Sequence, residues 1–373
     1  MLGLYVHVPF CTAICNYCNF NRGLFDASLK ERYVDALVGE IGTYSGESGS
    51  ADTVYFGGGT PSLLDPDDVR RVIRACSEAF DLTRELEVTL EVNPESVSQA
   101  RLERFRSVGV NRLSIGVQSL RDEELLKLSR LHRADRARAA YAEARAAGFD
   151  NVSLDLMMWL PGQAVSEWLG TVDHVIALQP DHVSLYMLEV YPNAPLREEM
   201  MRQQWSQAPD EDVALMYTAA MERLEAANFV QYEISNVAQP GRRSRHNLKY
   251  WTDGEWLGFG CGAHSTRAGG RWKNVSGIED YVERVTAGGS VKVDVRQPSP
   301  SERLGDALFT GLRLSEGINE IVIEAQYGVD VWARYEADLE PFVREGMLSR
   351  ENRRLRLTRR GMLLAHEIMA VFV

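Results

Sequence analysis

Between residues 4 and 235, short β-rich runs alternate with amphipathic helical stretches, and this alternation limits the folds open to the chain more than any other feature. LYVHV at 4–8 comes first, a helix spans about 29–45, and DTVYF follows at 52–56. A helix over 66–80 leads into ELEVTLEV at 85–92, and another over 98–108 leads into NRLSIGV at 111–117. Helices at 122–130 and 135–147 precede NVSLDLM at 151–157; a helix at 165–178 precedes DHVSLYML at 181–188; one at 210–227 precedes FVQYEIS at 229–235. Each connection has the length of a βα crossover, so the seven strands are expected to lie parallel in an α/β fold. Right-handed crossovers then curl such a series into an incomplete, TIM-like (β/α) barrel.

After PGRRSR at 240–245 the alternation lapses into an aromatic, glycine-rich stretch, and RQPSP at 296–300 reads as a linker. The expected division is a partial barrel over 1–240, an extension of it over 241–297, and a small winged-helix-like domain over 298–373 whose wing strands lie near 347–350 and 354–358. A chain of 373 residues, 45% of them hydrophobic, has ample material for a large core. MLGLYVHVPF carries no basic leader, and no apolar run approaches the roughly 20 residues that span a bilayer, so a soluble cytoplasmic protein is expected. A net charge of −12 opposes sequence-independent attachment to nucleic acid.

Three of the five cysteines, Cys11, Cys15 and Cys18, fall in a CxxxCxxC loop directly after the first strand. Three thiolates leave one metal position open, which suits either a tetrahedral zinc with one water or an iron–sulfur cubane with one unique iron. The spacing favours the cubane, since zinc usually takes CxxC pairs. Polar residues close the other strands: Gly57, Gly58, Gly59, Thr60 and Pro61 after the second, Glu91 and Asn93 after the third, Gln118 and Ser119 after the fourth, Asp155 in the fifth. In a barrel these strand ends converge on one face, so they and the cysteines are expected to share a cavity. The glycine run lets backbone approach a ligand closely.

Tyr5-Val-His7-Val-Pro-Phe followed by CTAICNYCNF, then GGGTPS, LEVNP, IGVQS, DLM..LPGQ and GCGAHS, resembles the radical S-adenosylmethionine (SAM) superfamily. More narrowly, the chain is similar to the branch that holds oxygen-independent coproporphyrinogen III oxidase and the heme chaperones. The resemblance implies a [4Fe–4S] cluster on Cys11, Cys15 and Cys18 with SAM on the fourth iron. It implies that Tyr5 contacts the cofactor region and that Gly57, Gly58, Gly59 and Thr60 take the methionine amino group through backbone atoms. Glu91, Gln118 and Arg130 would position the methionine and ribose ends, and Asp155 would bind the ribose hydroxyls. A diol suits a carboxylate acceptor and a carboxylate suits a guanidinium. Read without the resemblance, Arg130 would pass for a surface helix cation.

Within that branch three features resemble the chaperones. The oxidase pattern CxxxCxxCxC places a fourth cysteine where this chain has Phe20; the oxidase carries an N-terminal extension, whereas Tyr5 stands almost at the chain start; and His246-Asn247-Leu248-Lys249-Tyr250-Trp251 looks like the chaperones' HNxxYW motif. The resemblance therefore implies heme as a third ligand, His246 as the residue that ligates or orients it, and a heme-accepting protein as partner. Tyr250 and Trp251 offer flat apolar area, while Arg242, Arg243 and Arg245 read equally as propionate partners or a solvated loop. A radical SAM enzyme, such as the oxidase or a related methyltransferase, is the alternative, and a structural zinc protein a remote third.

The family usually reads glycine where Trp159 stands, and an indole there is expected to narrow the cavity beside Asp155. Cys76 reads as a buried hydrophobe within a helix; Cys261 and His264 read as packing of a glycine-rich strand end at least as readily as ligands. The arginines at 350, 353, 354, 356, 359 and 360 suit a solvated wing more than a patch for a membrane or acceptor.

Overall fold

The computed structural model describes residues 1–46 and 49–373. Six parallel strands form its centre: β1 (Leu2–Val8), β2 (Ser50–Gly58), β3 (Asp81–Val92), β4 (Arg112–Gln118), β5 (Val152–Met158) and β6 (His182–Met187), paired in chain order. Helices fill the crossovers: α1 (Ala27–Gly42), α2 (Pro66–Ala79), α3 (Gln99–Ser107), α4 (Asp122–Lys127), α5 (Ala134–Ala146) and α6 (Val165–Leu178).

The expected seventh parallel strand is a correction. Residues 229–235 hold only β7 (Val230–Glu233) and a turn, after which the chain doubles back as β8 (Asn236–Ala238), and β8 runs antiparallel to β6. The seventh parallel member comes from the glycine-rich stretch instead. After α7 (Pro195–Gln203), α8 (Asp210–Ala226) and α9 (Arg245–Trp251), β9 (Trp256–Phe259) pairs with the far side of β1. Antiparallel β10 (His264–Arg267), β11 (Gly270–Asn274) and β12 (Lys292–Arg296) extend that edge, giving the order β12-β11-β10-β9-β1-β2-β3-β4-β5-β6-β8-β7. The order has two ends, so the barrel is partial.

Alternation along the strands explains why the sheet curls with its helices outside. Leu4, Val6, Val54, Phe56, Leu90, Leu113, Ile115, Leu154, Leu156, Val183 and Leu185 are buried in the main core, each contributing roughly 1.5–3 kcal/mol. The residues between them are Tyr5, His7, Thr53, Tyr55, Glu91, Ser114, Ser153, Asp155 and Ser184, so the inner face is polar. Helix α10 (Ile278–Thr286) packs on α1, and Lys30 of α1 holds Asp65 at 3.1 Å and Asp68 at 2.8 Å at the start of α2.

The C-terminal part begins with α11 (Pro300–Gly311), followed by β13 (Ile318–Asn319), α12 (Glu320–Tyr327), α13 (Val331–Arg344), β14 (Leu348–Glu351) and β15 (Arg354–Leu357). Its three strands form a separate sheet in the order β13-β15-β14, the wing being the antiparallel β14–β15 hairpin. Among the described residues no helix is long and apolar enough to cross a membrane.

Candidate functional site

The loop after β1 carries Cys11, Cys15 and Cys18 over the C-terminal ends of the strands, held by backbone pairing of Phe10–Cys11 with Gly23–Leu24. All three thiols are free. Thr60 Oγ1 donates to Cys11 Sγ at 3.7 Å, and Arg130 Nη1 donates to Cys15 Sγ at 3.5 Å. Burial pushes the Cys11 and Cys18 thiols up, and negative charge on a neighbouring cysteine pushes them further, so ionising sulfurs side by side is costly here and a cationic iron core would offset that cost.

The glycine run fits a close-approach role. A Cβ on Gly59 would stand 2.9 Å from Cys11 Sγ and 2.8 Å from Phe10 O, and one on Gly57 would stand 2.9 Å from the Tyr5 ring. Gly58 has φ +120, a conformation open to glycine, and its N–H donates to Glu91 Oε2 at 3.1 Å. Tyr55 donates to the other Glu91 oxygen at 2.8 Å. Burial is the main cause that raises the Glu91 carboxyl to about 7, with the charge of Asp155 adding to it. Asp155 is likewise raised by burial while accepting hydroxyls from Ser114 at 2.9 Å and Ser153 at 3.2 Å.

Arg130 follows α4 rather than lying on it, and its guanidinium reaches into the mouth, donating to Asn93 Oδ1 at 2.7 Å and Gly116 O at 3.1 Å. Gln118 ends β4 at φ +63, and its Oε1, like Arg130 Nε, is buried without a hydrogen-bond partner. Such orphaned atoms ask for a polar ligand. Cysteines, glycines, Thr60, Glu91, Asn93, Gln118, Arg130 and Asp155 thus share one mouth, and the residue types fit an iron–sulfur cubane bearing a nucleoside that carries a free amino acid group. Sequence reading missed Tyr55 and the serines around Asp155. Their signal was the same two-residue alternation that selects Gly57 and Gln118.

His246 stands elsewhere. It lies against Gly3 at the start of β1, about 16 Å from the end of that strand. Glu87 accepts the backbone N–H of Arg245 at 3.1 Å and of His246 at 3.2 Å, seating the start of α9 under the barrel. His246 is 1% exposed, with Nδ1 2.8 Å from Thr53 Oγ1 and Nε2 2.9 Å from the Tyr250 hydroxyl. Burial, with help from Lys249, pushes its imidazole down to about 3. A column of rings runs upward from it: Trp256 to Tyr250 at 4.7 Å, Tyr250 to His246 at 5.4 Å, His246 to Tyr55 at 5.1 Å and to Tyr5 at 6.3 Å.

Other expected residues find plain partners. Cys76 and Cys261 are fully buried, Cys261 receiving Asn21 and Tyr33. Arg242 faces Asp150 and Asp181, Arg243 faces Glu316 at 3.0 Å, and Arg245 faces Asp52 at 3.0 Å. Trp159 sits at φ +64, the left-handed region that favours the family's glycine, and its indole N–H donates to Ala208 O at 2.8 Å. The wing arginines are paired within the chain: Arg350 with Glu320, Arg353 with Glu324, Arg356 with Glu351, Arg359 with Glu225, and Arg354 and Arg360 with backbone carbonyls.

Residues 5–175 match the radical SAM superfamily model, and residues 299–364 match the HemN C-terminal domain. The chain is 32% identical to a Bacillus subtilis protein named "Heme chaperone HemW" over 100% of this chain and 99% of that one. It is 37% identical to the protein of that name from Mycobacterium tuberculosis H37Rv over 98% and 93%. The solved coproporphyrinogen III oxidase (HemN) of Escherichia coli superposes with TM-score 0.86 at 23% identity, covering 100% of this chain and 89% of that one, which shows the shared fold. Matched along its full length by these HemW relatives, the chain belongs to the HemW-type family of the radical SAM superfamily.

Proposed function

We propose that the chain is a heme chaperone: it holds a [4Fe–4S] cluster on Cys11, Cys15 and Cys18, binds SAM in the barrel mouth, and receives heme for transfer to an acceptor protein in the cytoplasm. The observation that supports it best is the mouth itself, where three free thiols stand beside Arg130, Glu91 and the orphaned Gln118 Oε1. When bound, a reduced cluster supplies one electron for cleaving a sulfonium. The chain's own residues position the ligands. Backbone at Gly57 to Thr60 would approach the methionine end, Glu91 would accept its ammonium, and Asp155 would exchange serine hydroxyls for those of a ribose.

In this reading residues 1–240 serve the cluster and SAM, 241–297 serve heme, and 298–373 close the molecule's edge. His246 orients Tyr250 at the heme side, since both its ring nitrogens are already engaged. Anaerobic reconstitution tests the first part: wild-type protein is expected to take up iron and sulfide, and Cys15→Ser to lose both with its visible absorption. Full iron retention in that variant overturns the ligand set. Transfer of bound hemin to an apo-heme protein tests the second part. Stoichiometric decarboxylation of coproporphyrinogen by the reduced, SAM-loaded protein would place the chain among the enzymes instead.

A further inference from the structure

A cavity of about 570 Å³ lies between α9, the antiparallel extension β9–β12 and α11, outside the barrel and away from the cysteines. Its volume falls within the range that takes drug-sized and cofactor-sized molecules. Tyr250, Trp251, Trp256 and Trp272 line it, so the two aromatic residues of the HNxxYW motif face this space. Flat aromatic walls of that area suit a planar macrocycle.

His264 lines the same cavity and is exposed. The seven histidines of the chain sort by geometry. His7, His132, His182 and His246 are buried, each with both ring nitrogens within 3.1 Å of a polar partner. His174 and His366 are exposed on α6 and on the segment Ala365–Met369, and neither lines the cavity. His264 alone combines a place on the cavity wall with a ring that no described residue hydrogen-bonds. Strand pairing fixes where it stands: it opposes Lys273 across β10 and β11, and its carbonyl accepts the Trp256 indole N–H at 3.0 Å. Partial burial, then the Lys273 charge, lowers its imidazole from the usual value, which favours the neutral, metal-binding form.

We propose that this cavity is the seat of the heme and that His264 supplies the axial imidazole to its iron, with His246 serving only to fix Tyr250. The inference rests on the chaperone reading above and assigns its heme site. Arg271, Lys273 and Arg296 stand on the wall, each facing an acid, namely Asp306 at 2.6 Å, Asp294 at 2.8 Å and Glu302 at 3.4 Å. A propionate here therefore shares a paired cation, and the macrocycle's affinity comes from the rings and the iron bond.

The test is hemin titration of the full chain followed by its Soret band. Wild-type protein is expected to bind hemin. His264→Ala should weaken binding by roughly tenfold or more and move the Soret maximum, and added imidazole should restore the wild-type spectrum. His366→Ala should leave both unaltered, and thermal unfolding should show His264→Ala folded like the wild type. Unchanged affinity and spectrum in His264→Ala, or a loss that imidazole does not repair, overturns the ligand assignment while leaving the chaperone reading intact. Failure of the wild-type protein to bind hemin overturns both.

Discussion

Glu91 lies in the barrel mouth with Asp155 near enough to oppose its ionisation, and its carboxyl titrates at about 7 in the folded chain. A folded-state pKa above the unfolded value means the folded form holds the proton more tightly. The group therefore costs nothing below about pH 4.5, and its cost grows as pH rises through about 7. The full shift corresponds to roughly 3 kcal/mol as an upper bound. Glu91→Gln is accordingly expected to raise the thermal midpoint over wild type at pH 8 and to leave it nearly unchanged at pH 4. A difference that does not grow with pH defeats the assignment. Residues of this kind were partly legible beforehand: the cysteine loop, the glycines and the strand-end carboxylates follow from position alone. Arg130 looked like a helix cation because nothing in the sequence shows that α4 stops at Lys127 and lets the chain turn inward.

Helix α9 shows what sequence could not supply at the level of elements. HNLKYW was legible as a motif, yet its place under the barrel depends on β9 pairing with β1, a contact between residues 3–6 and 256–259. Periodicity reveals that a strand exists and says nothing of which neighbour or direction it takes, which is also why the hairpin at 230–238 reads as one more parallel strand. Glu87 is the side chain that seats α9, meeting two backbone N–H groups at its start. Glu87→Gln should cost about 1 kcal/mol, since a full negative charge at a helix start becomes a dipole. Hydrogen exchange at residues 247–251 should quicken in that variant. Unaltered protection there would show that packing of Tyr250 and Lys249 holds the helix without Glu87.

Over the whole molecule, the partial barrel and the wing follow from ordinary alternation and punctuation and are the part of the fold most fully legible in the sequence, whereas the strands of the sheet extension lie where the alternation lapses. The buried charges that hold elements together are not, because partner choice across even a few tens of residues leaves no local trace. Glu320 is fully buried at the start of α12, and Arg350 of the wing grips it with contacts of 2.7 and 2.9 Å. Glu320→Gln should destabilise the chain by about 1–3 kcal/mol, seen as a lower urea midpoint. An unchanged midpoint would mean that solvent satisfies Arg350 equally well. The stoppered base of the barrel has a broader consequence. Thr53, Glu87, Arg112 and His246 are all buried there and close the base of the interior with side chains, whereas Ile14, Phe20, Leu24 and Phe25, along the chain around the cysteines, are exposed at the opposite end. The rings from Trp256 through Tyr250 and His246 to Tyr5 meet edge-on at the first two contacts and face-on at the last, and they cross that closed base, so the barrel mouth and the cavity beside α9 lie at the two ends of one aromatic column.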